Sequence, residues 1–216
     1  MTTICPINYN IQVYNRSTMA RPNFRGVNHA ETLTHTNIGS CLEGYIGKIR
    51  VRKANGVEDY LDVFKKYLCN NYENYSVKNK SGDVMGEINL TINKPSGYHY
   101  DPNVSPVDTS YVFVTDLRNY SNPNTPFYRK GLEPHKDIGT RLLQIAQRRS
   151  DEAMCQGNIK LISKNESKGW YKNVIGMVEE YAAEQNPELR YRIHNPNSMI
   201  LPWYAKEPLS RLQGGL

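Results

Sequence analysis

Apolar residues recur with a period of two in some stretches of this chain and at spacings of three and four in others. In "EGYIGKIRVRKANG", Tyr45, Ile46, Ile49 and Val51 alternate with glycine and basic residues, which predicts a strand. In "VEDYLDVFKKYLCNN", Val57, Tyr60, Leu61, Phe64 and Leu68 fall three and four apart, with acids early and bases late as a helix dipole prefers; this predicts an amphipathic helix. "NYSVKN" and "VMGEINLTI" flank the turn-forming "KSGD" and predict a hairpin. "YVFVTDL" reads as a buried strand. Ile138, Leu142, Ile145, Ala146 and Ala153 share one helical face. "NIKLIS" then reads as a strand, "NESKGWYKNV" and "MVEEYAAEQN" as short helices, and "LRYRIH" and "SMILPW" as closing strands. Strands interleaved with helices imply an α/β or α+β sandwich. Residues 1–40 are polar and rich in Asn, Thr and Arg, so they are expected to form an irregular arm with one strand near 9–14. Residues 41–216 are expected to form a single domain. Two long polar loops, 93–110 and 118–137, interrupt the pattern, and loops of that length commonly bind or cover something.

Composition narrows the class without naming it. A hydrophobic fraction of 38% and an aromatic fraction of 10% provide for a sizeable core. The formal net charge of +6 suits an anionic ligand, a nucleic acid or a charged surface equally well. The bases are dispersed and form no basic–aromatic stripe, which argues against nucleic acid. "MTTICPINYNIQVYNRS" lacks the basic and apolar regions of a signal peptide, and no apolar run approaches a membrane span. Cys5, Cys41, Cys69 and Cys155 lie far apart with no C-x-x-C, so free thiols in a reducing, cytoplasmic setting are expected. The five histidines have no close Cys or His partner spacing, and no metal site is expected.

The chemistry concentrates at "EPHKDIGTRLLQIAQRR". A basic, glycine-containing loop runs directly into an amphipathic helix. The first N–H groups of a helix lack partners and carry partial positive charge, so a phosphate can bind there. Gly139 allows close backbone approach, and His135 and Lys136 add positive charge. Asp137 stands at the helix head itself. An Asp before Ile138 is a good N-cap, and its carboxylate would compete with a phosphate for the same N–H groups.

The order of elements makes the signal specific. A buried strand at 111–117 precedes this loop; "CQGNIKLIS" and "SKGWYKNVIGM" follow the helix. In this arrangement the sequence resembles the GCN5-related N-acetyltransferases, in which a strand leads to Q/R-x-x-G-x-G/A opening a "GIGTxLL" helix, then a strand and an "FYxxxGF" helix. The resemblance covers roughly 111–202, and 44–92 fits the family's first half more loosely. Pro134 stands where the family has Gln or Arg, and Asp137 where it has its first glycine. One additional residue separates Tyr171 from Gly176.

The resemblance implies a mixed, mostly antiparallel sheet with splayed central strands flanked by helices. It implies acetyl-CoA wedged between the strands ending at Leu117 and Ser163, and direct acetyl transfer to the primary amine of a protein or small molecule. Backbone groups of Leu117, Arg118 and Asn119 would pair with the pantetheine arm, and His135, Lys136, Asp137, Ile138, Gly139 and Thr140 would hold the pyrophosphate. Tyr171 matches the tyrosine that protonates the leaving thiolate. Asn165 is a candidate cofactor contact and also reads as a helix N-cap. Glu87 and Asp116 are strand carboxylates available as general base. Two other readings compete. One is an acetyltransferase fold that has lost cofactor binding and serves as a binding module. The other is an acyltransferase using Cys41, which "IGSCLEG" places between glycines.

Overall fold

The computed structural model describes residues 27–29, 35–38, 41–69, 72–94, 110–184, 195–202 and 204–206; of strand residues up to 42, and of 69, it describes the backbone alone. The strand expected near 9–14, the first long loop from 95 to 109, and "LRYRIH" at 189–194 lie outside the described residues.

One mixed sheet organises the chain. Its strands are β1 (Val27–His29), β2 (His35–Ile38), β3 (Cys41–Lys53), β4 (Glu58–Cys69), β5 (Tyr72–Lys78), β6 (Val84–Asn93), β7 (Tyr111–Asn119), β8 (His135–Lys136), β9 (Ile159–Ile162), β10 (Val178–Glu179) and β11 (Ser198–Ile200). The order across the sheet is β1-β3-β4-β5-β6-β7-β9-β11-β10, with β2 and β8 also paired to β3. From β3 to β7 each strand is antiparallel to the next. β7 and β9 are parallel, joined by a crossover through α1 (Ile138–Glu152). The fold is therefore mixed α+β with a large, mostly antiparallel sheet and few helices. Part of the stretch read as an irregular arm, β1 and β2, pairs with β3.

The helix expected over 57–68 is a strand, β4, and this expectation is corrected. Leu61 and Val63 are fully buried in the core, while Tyr60, Asp62 and Phe64 alternate onto the opposite face. Tyr60 and Phe64 are aromatic residues on a half-solvated sheet surface, and counting them with Leu61 produced an apparent helical spacing. The charges are met by cross-strand ion pairs rather than by a helix dipole: Lys48 with Asp62 at 3.1 Å and Arg50 with Glu58 at 3.2 Å.

The core lies between α1 and one sheet face. Ile138, Leu142, Leu143 and Ala146 of the helix meet Ile49, Leu61, Val63, Val77, Ile88 and Val114 of the strands. Gly86 on β6 makes this approach possible. A Cβ there would stand 2.7 Å from the Ile138 side chain and 2.9 Å from the Arg118 carbonyl oxygen. Arg141 on this helix is buried: its Nε donates to the Arg50 carbonyl at 2.6 Å, and burial brings its guanidinium down to about 10.

Candidate functional site

The site grows out of the point where β7 and β9 part. Their parallel pairing runs Val112↔Ile159, Phe113↔Lys160, Val114↔Leu161 and stops. β7 continues to Asn119, while the backbone beyond β9 turns toward Asn197, whose carbonyl accepts the Ser163 N–H at 2.9 Å. Thr115 is an extra residue in β7, since Asn89 faces Asp116 and Leu90 faces Val114. A bulge of this kind bends its strand and re-aims the groups beyond it. Tyr120 gives its N–H to Met85 of β6, so alternation turns the N–H groups of Leu117 and Asn119 away from β6 and toward the opening.

On the α1 side of the opening stands the helix head, and the structure resolves the tension at Asp137. Its backbone is left-handed, with φ 71°, which explains why a glycine would suit the position. Its carboxylate does not cap the helix, so the N-cap expectation is corrected. Arg52 of β3 holds it in a fork, Nε to Oδ2 at 2.6 Å and Nη2 to Oδ1 at 3.0 Å. A left-handed residue cannot direct a short side chain back onto the first turn while it is also paired to a neighbouring strand. The helix N–H groups are thereby left without the carboxylate.

The remaining loop residues divide. Lys136 is exposed beside the helix head. The His135 ring is buried and faces the other way; its Nε2 lies 3.0 Å from Asp59 and its Nδ1 2.8 Å from the Glu133 carbonyl oxygen. Asp59, Glu133 and His135 are spaced closely enough to suggest a metal tripod. Lys53, however, already places its ammonium 3.0 Å from Glu133 and 4.0 Å from Asp59, so the cluster is an ion-pair network. Burial raises the Asp59 carboxyl, but the hydrogen bonds from His135 and the Tyr60 N–H outweigh it and hold it below the usual range. Ile138 is fully buried and Thr140 nearly so. At Gly139 an added Cβ would lie 3.3 Å from the Trp170 ring and 3.9 Å from Leu117.

After β9, α2 (Asn165–Trp170), whose Trp170 lies close to Gly139 of the helix head, continues into a π-helical turn, Tyr171–Ile175, closed by Gly176 with φ 82°. The additional residue between Tyr171 and Gly176 is absorbed by this wider turn, and the Met177 N–H still reaches the Tyr171 carbonyl at 2.9 Å. Tyr171 is 8% exposed and its ring meets Trp170 edge-on at 4.9 Å. Burial first, then the Asp116 charge, pushes its hydroxyl up to about 12. Asn165 is exposed and opens α2; the cap position belongs to Lys164, which supplies no side-chain bond, so the reading of Asn165 as an N-cap is corrected.

Gly86 and Leu117 point toward α1, so Glu87, Asp116 and Arg118 project from the opposite sheet face. Arg118 links the two carboxylates, Nη2 to Asp116 at 2.6 Å and Nη1 to Glu87 at 3.4 Å. The second long loop is tied across this corner. Thr125 donates its hydroxyl to the Asn119 carbonyl at 2.8 Å, and the Phe127 ring lies between Arg118 at 5.4 Å and Lys164 at 5.2 Å. Arg52, Phe127 and Tyr120 carried no signal in the sequence, because long-range pairing alone brings them here. A separate hollow of about 520 Å³, lined by Ile92, Asn93, Lys94, Arg149, Glu152 and Ala153, opens at the other end of α1, away from these groups. The side chain of Cys41 lies outside the described residues, and no described helix is long and apolar enough to cross a membrane.

No family model matches the chain. No curated protein matches it either. Among solved structures the chain is similar to the crystal structure of Tetrahymena GCN5, at 16% identity over 61% of this chain and 68% of that one, with a TM-score of 0.35. At that score the likeness carries no weight for what the chain does.

Proposed function

We propose that the chain is an acetyl-CoA-dependent N-acetyltransferase acting on a primary amine, with residues 41–216 as its domain and β1 and β2 of the preceding arm paired onto β3. The observation that carries the reading is the parting of β7 from β9 after Val114, beside an uncapped helix head whose Gly139 lies close to Trp170 and, next to it, the buried Tyr171. The residues fit the cofactor. The first-turn N–H groups and Lys136 would take the pyrophosphate, and the cleft-facing backbone of Leu117 and Asn119 would take the pantetheine amides. Arg118, Asp137 and Ile138 frame these groups, while His135 acts through its hold on Asp59 and Asn165 borders the opening.

The cofactor supplies an activated acetyl thioester. The chain's residues do the rest. The cleft aligns the amine with the carbonyl. A carboxylate, Glu87 or Asp116, takes the proton from the acceptor ammonium. Tyr171, buried and raised, keeps its proton at neutral pH and stands ready to donate it to the departing sulfur. A reducing, cytoplasmic setting belongs to the same reading, on the wide spacing of the four cysteines.

The rival reading, a binding module without cofactor, is favoured by the acid at the helix head and by Phe127 lying between Arg118 and Lys164. A thermal-shift titration with acetyl-CoA separates the two, since a ligand that binds only the folded state raises the midpoint. An unmoved midpoint, together with no amine-dependent CoA release, would give the binding module first place. In an active protein, Tyr171→Phe lowers kcat more than it raises the KM for acetyl-CoA.

A further inference from the structure

Resting on the transferase reading, we propose that Tyr120 is a positioning residue that orients Glu87 as the general base. Tyr120 lies just past the end of β7, between the strand and the helix-head loop quoted for the family resemblance and part of neither motif. Its place is fixed on every side. Its N–H bonds the Met85 carbonyl at 2.9 Å, its own carbonyl accepts the Arg129 N–H at 2.9 Å, and the Arg129 guanidinium lies 3.7 Å from the ring centroid. The residue is 4% exposed. From this anchored ring the hydroxyl donates to Glu87 Oε1 at 2.5 Å. Arg118 Nη1 approaches the same oxygen at 3.4 Å.

Two donors on one oxygen fix the rotation of the carboxylate. Glu87 Oε2 accepts no hydrogen bond from any described residue, and the side chain is 22% exposed on the open sheet face. One oxygen is therefore held and the other is presented. Asp116 differs: among the described residues it is held by Arg118 Nη2, at 2.6 Å, and its charge is felt by Tyr171, the proposed acid. A base and an acid serving opposite ends of one transfer are better separated, which favours Glu87. In the step, an N–H bond of the acceptor ammonium breaks and an O–H bond forms at Glu87 Oε2. The nitrogen keeps the electron pair for attack on the thioester carbonyl. Tyr120 keeps its own proton throughout; burial, then the bond to Glu87, raises its hydroxyl above the ordinary range.

The test is a double-mutant cycle on steady-state turnover with Tyr120→Phe, Glu87→Gln and the pair, each variant first checked for a wild-type-like thermal midpoint. Tyr120→Phe is expected to lower kcat about tenfold, the worth of one hydrogen bond to a charged group, while the KM for acetyl-CoA stays within about twofold. In the Glu87→Gln background it should cost nothing further, because the residue it orients is gone. An unchanged kcat for Tyr120→Phe, or losses that multiply in the double variant, would overturn the assignment. Should Tyr120→Phe unfold the protein, Glu87→Gln alone decides: wild-type turnover removes Glu87 as base and Tyr120 with it. Failure of the underlying reading shows in the wild type, as no acetyl-CoA-dependent acetylation of any amine offered.

Discussion

Helix α1 is fastened to the sheet by an arginine–carboxylate fork at each end, and the two forks sit in different surroundings. At the head, Arg52 grips Asp137 at 2.6 and 3.0 Å with side chains 33% and 26% exposed. At the tail, Arg149 grips Glu73 of β5 at 2.7 and 2.9 Å with side chains 19% and 4% exposed. The tail fork is also braced by Lys65 at 3.2 Å and by the Tyr75 hydroxyl at 2.9 Å. The same chemistry therefore has two strengths. Water screens the first pair, which makes it a contact that can be exchanged. The second is enclosed, so loss of one partner strands buried charge. The helix has a fixed tail and an adjustable head, and the adjustable end is the one where a phosphate is proposed to bind.

The comparison breaks most severely at Glu73. Glu73→Ala leaves Arg149 and Lys65 without their carboxylate and is expected to cost about 3–5 kcal/mol in denaturant unfolding. A loss under about 1 kcal/mol would place the tail fork in the same class as the head. Acid probes the same fork more gently. Burial raises the Glu73 carboxyl, but Arg149 and Lys65 outweigh it and hold it below the usual range. A depressed folded value means this stability is complete above the ordinary glutamate pKa of about 4.3 and drains away as pH falls through the folded value. Glu73→Gln should flatten that part of the stability–pH curve, and an unchanged slope would assign it to other carboxylates.

At the head the effects shrink. Asp137→Ala loses the fork and keeps the left-handed backbone strain that the chain already carries, so it should cost about 1 kcal/mol or less. Asp137→Gly loses the fork but removes the strain, so its thermal midpoint should stay near wild type. Equal destabilisation by the two variants would show that backbone strain is irrelevant there. Arg52→Ala should change stability by less than about 1 kcal/mol. It frees Asp137 to compete for the helix N–H groups, so acetyl-CoA binding measured by calorimetry should weaken several-fold. Unaltered or tighter binding would mean that Arg52 does not keep the head clear.

The right half of the sheet was legible in the sequence because its signals are local. "YVFVTDL", the "IGTRLL" helix and "NIKLIS" each announce one element, and their order announced the parallel pair. β4 was not legible, because Tyr60 and Phe64 sit on an outward face that still carries aromatic residues; only the neighbouring strands reveal that face. The site was half legible. Gly139 and Lys136 at the helix head, and Tyr171 beside the Trp170 that Gly139 approaches, come from local motifs. The His135 ring, the true partner of Asp137 and the bond from Tyr120 to Glu87 depend on residues 76, 85 and 33 positions apart, which no local pattern encodes.

The run of antiparallel neighbours from β3 to β7 has a consequence for how the molecule opens. Each of those strands pairs with the one just before it in the chain, so from β3 to β6 this meander closes only short loops as it folds, and β7 adds to it across the longer connection 94–110. β9 can join only after the whole length of α1 has crossed over, and its pairing to β7 extends over just three residue pairs. The β7–β9 seam is thus expected to form late and to loosen first, as a low-energy opening that leaves the meander intact. Amide hydrogen exchange should then run faster in β9 and β11 than in β4 to β6. The line along which the sheet divides in such a fluctuation is the same line along which the cofactor is proposed to enter.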